Sequence, residues 1–99
     1  MIVILKACQR EIATFPEEIR GDLADALARL DAGLALSMPL SRPMPSIGRG
    51  VHEMRLKDRS GQFARRDAVH VLLAFKKTTQ ATPAKNLALA KTRLKEVLS

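Results

Sequence analysis

The stretch Val51-His52-Glu53-Met54-Arg55-Leu56-Lys57 decides the fold. From His52 onward, uncharged and charged side chains alternate with period two, the signature of a strand with one face in a core. His52, Met54 and Leu56 then point one way and Glu53, Arg55 and Lys57 the other. Glu53, the one acid among these charges, is expected to pair with Arg55 or Lys57. Asp58-Arg59-Ser60-Gly61 supplies turn chemistry. Residues 68–75 are apolar on both faces and read as a central strand. Residues 62–67 are too few for a further strand and two turns. The spacing therefore predicts that 51–57 and 68–76 pair directly as a hairpin, with 58–67 as its long connection.

Outward from this pair, Met1-Ile2-Val3-Ile4-Leu5 is a run of β-formers and predicts a short buried strand. Residues 7–33 predict two consecutive helices, or one broken at Pro16. Ile19, Leu23, Ala26, Leu27 and Leu30 form one apolar stripe. Glu17 and Glu18 sit where a helix N-terminus favours acids, and Gly33 is a natural stop. Residues 35–50 hold three prolines and two glycines and read as a loop without regular structure. Thr82 and Pro83 predict a cap and first turn for a last helix, with Leu87, Ala90, Leu94 and Val97 as its stripe. The element order gives a small α+β domain, one domain over 1–99.

The chain has 99 residues and a formal charge of +7. Residues 1–31 carry four basic and six acidic side chains, and 32–99 carry thirteen and four. The C-terminal two-thirds is thus built to meet a polyanion. Aromatics are 3%, which argues against capture of single strands on an aromatic platform. No apolar run approaches the ~20 residues of a membrane span, and the N-terminal run lacks the form of a signal peptide. A single cysteine, Cys8, fits a reducing, cytoplasmic setting.

Gly48-Arg49-Gly50 is not a nucleotide-binding loop, because no helix follows it. His52 and His70 have no Cys or carboxylate cluster beside them, so neither a metal site nor a cofactor is expected. What remains is a basic surface: Arg49, Arg55, Lys57, Arg59, Arg65, Arg66, Lys76 and Lys77. Cleavage of RNA by its own 2′-hydroxyl suits such a surface. It needs the 2′-oxygen held in line, the phosphate charge neutralised, and a proton moved at each end. Arginine forks clamp phosphate, and a perturbed lysine or Glu53 could carry the proton.

Thr14-Phe15-Pro16-Glu17-Glu18-Ile19-Arg20 resembles the "FPEEVR" opening of phage-derived HigB-like toxins, a branch of the RelE/ParE superfamily. Residues 44–55 resemble their "M-P-x-I-G-x-G-V-x-E-I-R", and Asp58-Arg59-Ser60-Gly61-Gln62-Phe63 their "D-x-S-G-x-[FY]". Val69-His70-Val71-Leu72, Phe75-Lys76-Lys77, and Leu89-Ala90-Lys91-Thr92-Arg93-Leu94 continue the likeness. The resemblance implies a RelE-like fold, with an antiparallel sheet, two N-terminal helices and a C-terminal one. It implies the toxin of a type II toxin–antitoxin system, partnered by a helix-turn-helix antitoxin, cleaving mRNA on the ribosome. Relatives of the ParE type poison DNA gyrase instead. Under this resemblance Arg55, Lys57, Arg65 and Lys77 are the catalytic residues, and Arg49, Arg59, Arg66 and Lys76 bind RNA.

The likeness has gaps. After Phe63 the family's apolar "R-V-x-Y" strand has no counterpart, so about six residues, one strand's worth, read as missing. The family's "L-H-A-F" is Leu72-Leu73-Ala74-Phe75 here, and a lysine of "F-x-K-K-T" has become Thr78. The alternative expectation is therefore a weakened or silent homologue that still binds antitoxin or nucleic acid.

Overall fold

In the computed structural model, residues 1–34, 36, 40–65, 67–77 and 81–98 are described. Strand β1 (Ile2–Ile4) leads into helices α1 (Lys6–Ala13) and α2 (Glu17–Asp31). Strands β2 (Ser41–Pro43), β3 (Val51–Leu56), β4 (Arg59–Arg65) and β5 (Val69–Lys76) follow, then helix α3 (Ala84–Leu98). The five strands form one sheet in the order β1-β5-β4-β3-β2. Every neighbouring pair is antiparallel except β1 with β5, so the sheet is mixed rather than purely antiparallel.

Strand β4 overturns the expected hairpin. It lies between β3 and β5 and pairs with both along its length. The strand begins at Arg59, inside what the sequence reads as a turn. The real turn is only Lys57-Asp58, since Leu56 already faces Arg59. Lys57 takes φ +58 there, a conformation that glycine usually supplies. Ser60 and Gln62, polar enough to suggest a loop, are fully buried strand residues. A second correction concerns 35–50, which contains β2, antiparallel to β3.

The sheet has two covered faces. On one, Met54, Leu56, Phe63, Val69 and Val71 pack against Ile19, Leu23, Ala26, Leu27 and Leu30 of α2 and Cys8 of α1. On the other, Val51, Ala64, Leu72 and Leu73 meet Ala90 and Leu94 of α3. Helix α2 ends as its sequence predicts. Gly33 takes φ +84, and Gly33 and Leu34 donate their N–H groups to the carbonyls of Leu30 and Arg29.

The loop before β3 is a clamp. Met44 and Ile47 join the α3-side core. A Cβ on Gly48 would collide with Leu94 Cδ2, so glycine lets the backbone pass under α3. Gly50, at φ +76, accepts the Arg65 N–H at 3.0 Å and ties the loop to β4.

Strand β1 ends at Ile4, leaving half of the β5 edge without a neighbour strand. Side chains take its place. Glu11 accepts the Ala74 N–H at 3.2 Å, and Arg93 donates to the Leu72 carbonyl at 2.9 Å. The two then pair with each other, at 2.7 and 3.0 Å. One bidentate ion pair thus closes a sheet edge and joins α1 to α3.

Candidate functional site

Parity along β3 places Val51, Glu53 and Arg55 on the α3 side. Helix α3 covers only the Val51 end. Beyond it, Arg42 on β2, Glu53 and Arg55 on β3, Ser60 and Gln62 on β4, and Phe75 on β5 share the rest of that face. Arg55 is exposed, whereas Glu53 is only 3% exposed.

Glu53 is the centre of the arrangement. Arg42 donates Nη2 to its Oε2 at 3.1 Å, and Lys77 donates Nζ to the same oxygen at 3.2 Å. The Thr82 hydroxyl reaches both carboxylate oxygens, at 3.0 and 2.9 Å. Gln62 Nε2 approaches Oε1 at 3.5 Å. Burial alone would push this carboxyl up. The hydrogen bonds from Arg42, Thr82 and Lys77, with the Lys77 charge, outweigh burial and hold it below the usual carboxylate range.

This geometry corrects three expectations. Glu53 pairs with Arg42 and Lys77, not with Arg55 or Lys57. Thr82 spends its hydroxyl on Glu53 instead of capping α3, where the Asn86 and Leu87 N–H groups bond to the Pro83 carbonyl. Lys57 is off the strand, in the β3–β4 turn, ion-paired with Glu18 of α2. That pair raises its affinity for a proton.

The eight basic residues singled out in the sequence therefore disperse. Arg55 and Lys77 share the α3-side face, Lys77 buried and Arg55 exposed. Arg65 has the opposite parity, across from Val69, and borders a small hollow with Leu30, Leu36, His52 and Phe63. Arg59 and Lys76 face each other between β4 and β5, also on the α1–α2 side. Arg49 is exposed on the clamp loop. Arg66 lies outside the described residues, as does Thr78. Leu73, where relatives carry histidine, is buried against the α3-side core.

Arg42 and Thr82 carry no signal in the sequence as partners of Glu53. One sits in a proline-rich connection and the other at a helix start, and only the sheet register brings them together. Histidine contributes nothing to this face's open half. His52 stacks on Phe63 at 5.6 Å toward the α1–α2 side. His70 lies opposite Ala64, at the other end of β4. Among the described residues no group of three His, Cys, Asp or Glu could hold a metal ion. Among them, too, no helix is long and apolar enough to cross a membrane.

The arrangement offers an exposed arginine, a half-exposed second one, and a buried ion pair that fixes the strands beneath them. It can bind a phosphate and neutralise its charge. The fold is similar to that in the crystal structure of the RelB–RelE antitoxin–toxin complex from Methanococcus jannaschii, with TM-score 0.64 and 12% identity, over 75% of this chain and 88% of the matched one. No curated protein matches the chain in sequence. The profile of phage-derived Gp49-like proteins (DUF891) matches residues 10–95, most of the chain, and the protein belongs to that family.

Proposed function

We propose that this protein is the toxin of a type II toxin–antitoxin system and cleaves mRNA on the ribosome, with Arg55 and Arg42 holding the scissile phosphate on the open half of the α3-side face. The observation that carries the reading is that Arg55 and the half-exposed Arg42 reach solvent from the same face of β3 and β2, beside the buried Glu53–Lys77 pair. The structural likeness to a chain of an antitoxin–toxin complex supports it. Strand β4 joins β3 to β5 and holds Arg55 and Arg42 on a continuous five-stranded sheet, which is consistent with that reading. Cleavage by the RNA's own 2′-hydroxyl asks the protein for alignment and charge neutralisation, and arginines supply both.

One observation favours a second reading, a silent binding homologue. Glu53 and Lys77, the proton carriers of this face, are bound to each other and buried. One experiment separates the two. The chain is induced alone and with the neighbouring reading frame, and mRNA ends are mapped. The toxin reading expects growth arrest and new mRNA ends, both suppressed by the neighbour and both lost in Arg55→Ala. Arrest without new ends refutes mRNA cleavage, and no arrest at full expression, with the neighbour still bound, refutes a toxin and supports the silent binder.

A further inference from the structure

The other side of the same sheet end holds a cleft of about 510 Å³, lined by Arg10, Glu11, Thr14, Phe15, Arg59 and Lys76 among others. Three of these are cations. Arg10 in the last turn of α1 and Lys76 on β5 are both exposed. Arg59 stands directly across from Lys76, and its guanidinium lies 5.6 Å from the centre of the Phe15 ring. Phe15 is itself buried, 4% exposed, so the ring serves to orient the arginine.

The carboxylates nearby are committed. Glu11 is bound by Arg93 and by the Ala74 N–H. Asp58 is paired with Arg59, which holds its carboxyl below the usual range. An anion entering the cleft therefore meets two exposed cations, Arg10 and Lys76, beside a guanidinium set on an aromatic ring, which it would share with Asp58. A planar fork of this kind matches a phosphate. The cleft lies around the sheet end from the proposed site: Arg55 and Arg59 stand on either side of the same tight turn, one on each face of the sheet.

We infer that this cleft is a second phosphate site, which takes the RNA backbone flanking the segment held by Arg55 on the open face. The inference rests on the RNA reading above. A polyanion with a charge on every unit can cross the sheet end from Arg55, past the turn, to Arg59, Lys76 and Arg10. Charge complementarity on both faces favours RNA over a short acidic peptide, which would need only one of them.

The test uses the full chain and a single-stranded 2′-O-methyl oligoribonucleotide, which cannot be cut. Its affinity is measured against salt concentration for wild type, Arg55→Ala, Arg10→Gln/Lys76→Gln, and Arg59→Lys. Removing one cation from a phosphate lowers the slope of log affinity against log salt by about 0.7. The cleft pair should lower it by about 1.4, additively with Arg55→Ala. Arg59→Lys should keep the slope and bind more weakly. Wild-type binding with an unchanged slope in the cleft pair overturns the inference and leaves the open-face reading standing. Oligonucleotide binding unchanged while affinity for the antitoxin falls assigns the cleft to an acidic peptide and overturns it as well. No binding by wild type or any variant removes both readings.

Discussion

Glu53→Gln changes one oxygen for an amide and removes one negative charge. The side chains of Glu53 and Lys77 are 3% and 5% exposed. Without the carboxylate, the Lys77 ammonium keeps, among the described residues, only the Thr82 hydroxyl, at 3.5 Å, and a neutral amide. Removing one member of a buried ion pair costs about 3–5 kcal/mol, because the other charge stays buried. Arg42 adds little: its side chain is 40% exposed and can turn to water, so its share is at most about 1 kcal/mol. The Thr82 hydroxyl and the new amide oxygen still accept from Lys77, which favours the lower end, about 3 kcal/mol. In a domain of this size each kcal/mol moves Tm by about 4–8 °C. Melting should therefore fall by roughly 12–24 °C.

The assay is urea and thermal unfolding of Glu53→Gln, Lys77→Met and the double variant. Lys77→Met alone leaves Glu53 with Arg42 and Thr82 and should cost less than Glu53→Gln. Adding Lys77→Met to Glu53→Gln removes the stranded charge and should restore stability, a coupling the double-mutant cycle measures. The pH profile follows from the same carboxyl. Its folded pKa lies below the unfolded value of about 4.3. Its contribution is thus complete above that value and is lost as pH falls through the lower, folded one. Glu53→Gln should flatten this acid limb. A loss under about 1 kcal/mol, or no rescue by Lys77→Met, refutes the argument that Glu53 is the buried counter-charge of this face.

Arg93→Ala should cost about 2–3 kcal/mol, since the Leu72 carbonyl loses its donor and Glu11 its partner. Amide exchange at Ala74, whose N–H donates to Glu11, should quicken more than at Leu5, whose N–H stays bonded to the Val71 carbonyl. Gly48→Ala drives a Cβ into Leu94 Cδ2 and should destabilise by about 1–3 kcal/mol. Leu94→Ala in that background should cost less than in wild type, measured by urea unfolding. Burial, with Glu11 nearby, pushes the Cys8 thiol up to about 12. Native protein should resist alkylation at neutral pH and react only on unfolding, so labelling without unfolding would refute the buried placement.

The parts of the fold legible in the sequence are those where period and burial agree. The α2 stripe is a clean helical pattern, and all five of its members are buried. Met54 and Leu56 follow their parity into the core. Strand β4 was illegible because its buried side is polar. Ser60 and Gln62 are strand residues that face Glu53's surroundings rather than an apolar core, and Gly61 between them lies across from Met54 and Ala74. Alternation cannot report a strand whose first buried positions are a hydroxyl, a glycine and an amide, and whose apolar residues, Phe63 and Ala64, are adjacent and bury on opposite faces. The tight turn was hidden for a related reason, since a lysine occupies the φ +58 position where glycine or asparagine would have announced it.

The same distinction sorts the shared motif. In residues 44–55, Met44 and Ile47 fill the α3-side core, Gly48 admits Leu94, and Gly50 docks on β4. Val51 is core, and Glu53 is the anion that gathers Arg42, Lys77 and Thr82. Only Arg49 and Arg55, among its charged residues, stand exposed. Most of the motif therefore constrains how a loop, a helix start and three strands are fastened together. The chemistry rests on far fewer positions. Leu73 is itself part of the α3-side core, so it serves the fastening and not the exposed surface. Fold and function separate at Arg55: its neighbours in the motif hold the strand, and it alone on that strand's α3 side reaches solvent.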